Sequence, residues 1–134
     1  MYLKFVKLFT RLAIATGFLS AVADRFGLWT YGLVWGKWEN FVDYTQSILP
    51  WFGPKVVSLL AAVATLAEVV LALLLIIGWK VAMCAKLSGL LMLLFALAMT
   101  FSGGIKTAFD ASVFAAAAAA FALSTIKLKF LEID

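Results

Sequence analysis

Histidine is absent from this 134-residue chain, cysteine occurs once and proline twice. Without histidine, the commonest metal ligand and any bis-histidine haem ligation are missing. The single cysteine, Cys84, rules out an intramolecular disulfide and a Cys-x-x-Cys redox pair. No metal site is expected, and a metal or haem enzyme is disfavoured. Charge is scarce as well: 13% of residues are charged against 66% hydrophobic, with a mean hydropathy of +1.09. That balance lies outside soluble usage and marks an integral membrane protein, surrounded by lipid. The net charge of +4 does not point to nucleic acid, because the basic residues stand at the ends of apolar runs and form no stripe on a polar face.

Long apolar runs are what the chain has in plenty. Val56 to Gly78 rises about 35 Å as a helix, enough to cross a hydrocarbon core of roughly 30 Å. Glu68 lies near its middle. A charged carboxylate there costs on the order of 3 kcal/mol, and the surrounding Val, Leu and Ile residues return roughly 4 to 8 kcal/mol. Insertion is favoured, and Glu68 needs a partner or a proton. The same reasoning places spans at about 5–23, 55–78, 81–101 and 107–126. It predicts an all-α integral membrane protein, a four-transmembrane-helix bundle in one domain over residues 1–134.

Small residues recur at helical spacing in these runs. Ala13, Gly17, Ser20 or Ala21, and Asp24 make one stripe, which predicts close packing of the first span against another helix. The ending Ala21-Val22-Ala23 also fits a signal peptide cleaved before Asp24. In the second span Ser58, Ala61, Thr65, Glu68 and Ala72 share a face, so Glu68 is expected to turn toward other helices. Ala82, Ala85, Gly89, Ala96 and Thr100 form the stripe of the third. The alanine run 115–120 makes the last span slim and dependent on its neighbours for insertion.

Residues 24–54 carry nine aromatics, among them Trp29, Trp35, Trp38 and Trp51, a density that belongs at a membrane surface. Trp38, Phe41, Val42, Thr45, Ile48 and Leu49 follow helical spacing opposite Glu39, Asn40, Asp43, Gln46 and Ser47. An aromatic-rich interfacial helix is therefore predicted over 37–49, between the first two spans. Lysine and arginine near the span ends favour both termini on the cytoplasmic side, seven against four.

Glu68 leads the ligand or proton site candidates: burial suits either a titrating carboxyl or a structural hydrogen bond. Arg11 can reach toward it or snorkel back to the headgroups, since it falls in phase with Ile14, Phe18 and Val22 and away from the small stripe. Lys106 and Asp110, four apart, fit an ordinary ion pair. A sharper reading gathers them with Asp24 and Arg25 beside an aromatic pocket of Trp29, Trp35, Trp38 and Tyr44. Such a pocket suits a flat amphiphile such as a quinone, although tryptophans also serve as plain interface anchors. Cys84 reads as a small packing residue. No catalytic residue is identified.

The run Gly17 to Trp29, GFLSAVADRFGLW, closely resembles the end of the first helix in bacterial DoxX-like membrane proteins. Trp35-Gly36 with Trp38, Phe41 and Tyr44, Ala64-Thr65 with Glu68, Ser88-Gly89, Phe95 to Met99, Gly104 with Lys106, and Asp110 with Ser112-Val113-Phe114 extend the resemblance over nearly the whole chain. The resemblance implies a four-helix bundle in the bacterial inner membrane, a retained first helix and a link to quinone or thiosulfate oxidation. Lacking a redox-active pair, the chain is expected to be a non-catalytic subunit or accessory of a quinone-linked or redox-stress process, with quinone as a non-covalent ligand and other redox proteins as partners. Two further readings stay open: a small proton-coupled carrier or channel component, which at this size calls for a homo-oligomer, and a structural scaffold that recruits soluble partners.

Overall fold

The computed structural model describes residues 1–133, and the described chain is helical with no strand. Its elements are α1 (Tyr2–Arg25), α2 (Trp38–Ile48), α3 (Pro54–Ile77), α4 (Val81–Gly103), α5 (Ile105–Asp110) and α6 (Val113–Ser124). By length and composition α1, α3 and α4 can each cross a membrane. Their outward faces carry exposed Leu59, Leu66, Leu90 and Leu94, which a water-facing surface would not favour.

Local chemistry sets the boundaries. Pro54 occupies the first turn of α3, where its missing N–H has no helical partner to lose. Gly78 ends α3 in the left-handed region, at φ 88°, and donates its N–H to the Leu74 carbonyl. The predicted span over 107–126 is not one helix. Ser112 takes φ 57°, and the chain divides into α5 and the 12-residue α6. Alone, α6 is about 18 Å long, short of a bilayer core.

Packing pairs α1 with α3 and α4 with α6. The core joins Ile14, Ala15 and Phe18 of α1 to Leu71, Ala72 and Leu75 of α3, Cys84, Ala85 and Met92 of α4, and Ala117, Ala120 and Leu123 of α6. At Gly89, α4 meets the Phe121 ring so closely that an added Cβ would lie 2.9 Å from it. The small stripe of α4 thus does admit a neighbour. Amphipathic α2 buries Phe41, Thr45 and Ile48, and Ile48 joins Ala96, Met99 and Ala108 in a second cluster.

Candidate functional site

Arg25, at the last turn of α1, reaches across to α3. Its Nη2 donates to Glu68 Oε1 at 3.0 Å and its Nη1 to Thr65 Oγ1 at 2.8 Å. The Arg25 and Glu68 side chains are 4% and 3% exposed. Aromatic faces enclose the guanidinium: its Cζ lies 3.8 Å from the centroid of Phe41 and 5.2 Å from that of Trp35. Cation–π contact gains strength in such a desolvated setting.

Asp24, one residue earlier, performs different work. It accepts hydrogen bonds from the backbone N–H groups of Val34 (2.8 Å), Trp35 (3.1 Å) and Gly36 (3.0 Å). Three charge-assisted bonds to one carboxylate fold the 26–37 segment back over the end of α1 and seat Trp35 against Arg25. Gly27 permits that fold, because its φ of 71° and the Gly36 carbonyl, 2.6 Å from where a Cβ would stand, leave room for nothing larger.

Below this lid lies a cavity of about 600 Å³, within the usual range for small-molecule sites. Ala13, Gly17, Phe18 and Ala21 of α1 form one wall, Met92, Phe95 and Met99 of α4 another, and Val113, Ala116 and Ala119 of α6 a third. Arg25, Glu68, Trp35 and Tyr44 supply its polar groups. Burial pushes the Tyr44 phenol above its ordinary value. From Arg25 to Ala13 the cavity runs about 18 Å along α1. A recess of about 450 Å³ beside it shares Gly17, Ala21, Val34 and Trp35.

Four expectations need correction. Arg11 does not pair with Glu68: its Nε donates to Leu75 O (2.9 Å), Nη2 to Ile76 O (3.1 Å) and Nη1 to Phe130 O (2.9 Å). It caps the carbonyl end of α3, where a cation also complements the helix dipole. Lys106 and Asp110 do pair, at 2.8 Å, but at 86% and 64% exposure they form a separate surface contact, apart from Asp24 and Arg25. The small stripe of α1 does not receive a neighbour; Ala13, Gly17 and Ala21 border the cavity, and nothing lies within 4 Å of where a Gly17 Cβ would be. The four aromatic candidates also separate. Trp35 and Tyr44 line the cavity; Trp38 stacks on Phe26 at 5.5 Å; half-exposed Trp29 borders the recess and donates to Ser20 O at 3.1 Å.

Sequence reasoning missed Phe41 as the platform under Arg25, and a second buried cluster. There Lys7 Nζ meets Glu132 Oε2 at 2.8 Å and donates to Leu128 O at 2.7 Å. Ile133 N–H donates to Gly78 O. The C-terminal segment is thereby tied across the ends of α1 and α3. Burial tends to raise the Glu132 carboxyl, but Lys7, the Phe130 N–H and Arg11 hold it below the usual carboxylate value. The heptad-like phase of Lys7, Arg11, Ile14, Phe18 and Arg25 on α1 was the available signal. Among the described residues no cluster of metal-ligating side chains occurs. Comparison with protein-family models, curated proteins and solved structures finds no match to this chain.

Proposed function

We propose that this chain is a DoxX-type protein of the bacterial inner membrane that holds a quinone or a similar flat amphiphile in the α1–α4–α6 cavity, as a non-catalytic accessory of a quinone-linked or redox-stress process. The observation that carries the reading is the lining of that cavity: apolar side chains of α1, α4 and α6, with Arg25, Glu68, Trp35 and Tyr44 as its few polar groups. The arrangement suits binding better than turnover. Its polar groups lie at one end, and the chain has no histidine or cysteine pair to carry electrons.

In this reading α5 and α6 together form a broken fourth span, about 27 Å of helix. A half-helix junction at membrane depth is tolerated where it borders a cavity, and Ala111 and Val113 do so here. Helix α2 lies at the outer interface with its polar face in water, and both termini are cytoplasmic.

Titration of the purified protein with a short-chain ubiquinone analogue, followed by tryptophan fluorescence, tests the reading. Saturable quenching that weakens in Glu68→Gln is expected. Absence of saturable quenching in the unmodified protein removes the quinone reading, and proton-coupled uptake into liposomes that depends on Glu68 would install the carrier in its place.

A further inference from the structure

Charge is divided unevenly between the two ends of this molecule. Of the eleven basic residues, seven lie where α1 begins, where α3 hands over to α4, and on the C-terminal segment that crosses between them. Contacts of that segment draw these places together. Phe130 packs on Phe5 with ring centroids 6.1 Å apart, Lys4 Nζ lies 5.8 Å from the Phe130 centroid, and Ile133 donates its N–H to Gly78 O at 3.2 Å. Among the described residues the one carboxylate at this end is Glu132, which is buried against Lys7 at 2.8 Å. Arg11 is buried on three carbonyls. Lys4, Lys80, Lys86, Lys127 and Lys129 are exposed, and none forms an ion pair among the described residues. The remaining four basic residues stand with five carboxylates at the opposite end, where Arg25 pairs with Glu68 and Lys106 with Asp110.

Exposed apolar side chains are interleaved with these lysines. Trp79 stands beside Lys80, whose Nζ lies 5.3 Å from the indole centroid; Met83 and Leu87 flank Lys86; Leu128, Leu131 and Ile133 accompany Lys127 and Lys129. Such a face offers apolar groups to the acyl boundary and ammonium groups to the phosphates just above it, as snorkelling lysines do. A soluble acidic partner would use the charge and leave the apolar side chains in water.

Resting on the reading of the chain as a bilayer-spanning protein, and independent of what the cavity holds, we infer that this end is a docking surface for anionic phospholipid headgroups, with the five exposed lysines as the groups that meet phosphate. The Lys7–Glu132 pair holds in place the segment that carries Lys127 and Lys129. The opposite end, with its charges balanced, has no such preference.

Tryptophan supplies a reporter at each end: Trp79 in this face, and Trp29, Trp35, Trp38 and Trp51 at the other. Full-length protein is reconstituted into phosphatidylcholine nanodiscs that hold a minor share of phosphatidylglycerol brominated on its acyl chains, or the same share of brominated phosphatidylcholine, and quenching is read. The Trp79 signal is the difference between the unmodified protein and Trp79→Phe. It is expected to be quenched more by the phosphatidylglycerol, with a preference that fades as salt is raised, while the other four tryptophans show none. Lys80→Gln and Lys129→Gln should each lower the relative affinity for phosphatidylglycerol by up to about fivefold, and Lys80→Arg should keep it. Equal quenching by the two lipids would overturn the docking surface, as would a preference unchanged in the double variant of Lys80→Gln with Lys129→Gln. A preference shared by the other four tryptophans would overturn its sidedness. Binding of polyglutamate to the phosphatidylcholine discs with no lipid preference would assign the face to an acidic soluble partner instead. Failure to enter discs of either composition would remove the membrane reading itself. The comparison of the two lipids in unmodified protein decides the matter even where a variant folds poorly.

Discussion

Arg25 and Glu68, forty-three residues apart, close an ion pair of 3.0 Å with both side chains buried. Removing one partner leaves the other buried without its counter-charge, a loss of about 3 to 5 kcal/mol. Glu68→Gln should therefore lower unfolding stability in detergent by that order, and Arg25→Met alone similarly. The double variant Arg25→Met with Glu68→Leu should recover much of the loss, since two apolar side chains have no charge to desolvate. Losses that simply add in the double variant would contradict the pair.

Arg11 serves the other end of α3 and is independent of Glu68. Arg11→Lys cannot meet three carbonyls in a fork, so hydrogen exchange should accelerate at Leu75–Gly78 and in the 128–133 segment. Combined with Glu68→Gln its effect on stability should add to within about 0.5 kcal/mol. A coupling above about 1 kcal/mol would restore the Arg11–Glu68 contact that the structure excludes.

Much of this was legible in the sequence. Apolar length and Pro-Gly punctuation located α1, α3 and α4, and the phase of Ala61, Thr65 and Ala72 placed Glu68 on the buried face of α3. Its partner was not legible. Spans laid side by side across a common thickness put Arg25 at the surface, but Arg11 stands beside Leu75 and Arg25 reaches Thr65 and Glu68, so the first turns of α3 project beyond α1. Such an offset depends on helix packing, which no periodicity encodes. Small residues carried a second ambiguity. At Gly89 of α4 they admit Phe121, and at Gly17 of α1 they leave open space, though the spacing is alike.

The Lys7–Glu132 tie should make stability sensitive to acid. The folded state holds the Glu132 carboxyl below its ordinary value, so its contribution is complete above the unfolded value of roughly 4.3 and is lost as pH falls through the lower folded one. Melting midpoints of the unmodified protein and Glu132→Gln should differ at pH 7 and converge toward pH 3. A gap that stays constant with pH would show that the tie contributes nothing through its charge.

Close approach at Gly89 gives a packing test. Gly89→Ala places a Cβ 2.9 Å from Phe121 and should destabilise the α4–α6 contact by about 1 to 3 kcal/mol. Phe121→Leu in the same background should return part of it. Lys106→Gln, by contrast, removes only an exposed pair and should change stability by less than about 1 kcal/mol. Urea or SDS unfolding curves compare all three.

The occupancy of the cavity is tested most directly by photocrosslinking in native membranes with an azido-quinone, followed by peptide mapping. Labels should fall on Ala13–Ala21 of α1, Met92–Met99 of α4 and Val113–Ala119 of α6, and unlabelled quinone should compete them away. Labelling that falls on the outward residues Leu59, Leu66 and Leu90 and resists competition would contradict a quinone-holding cavity.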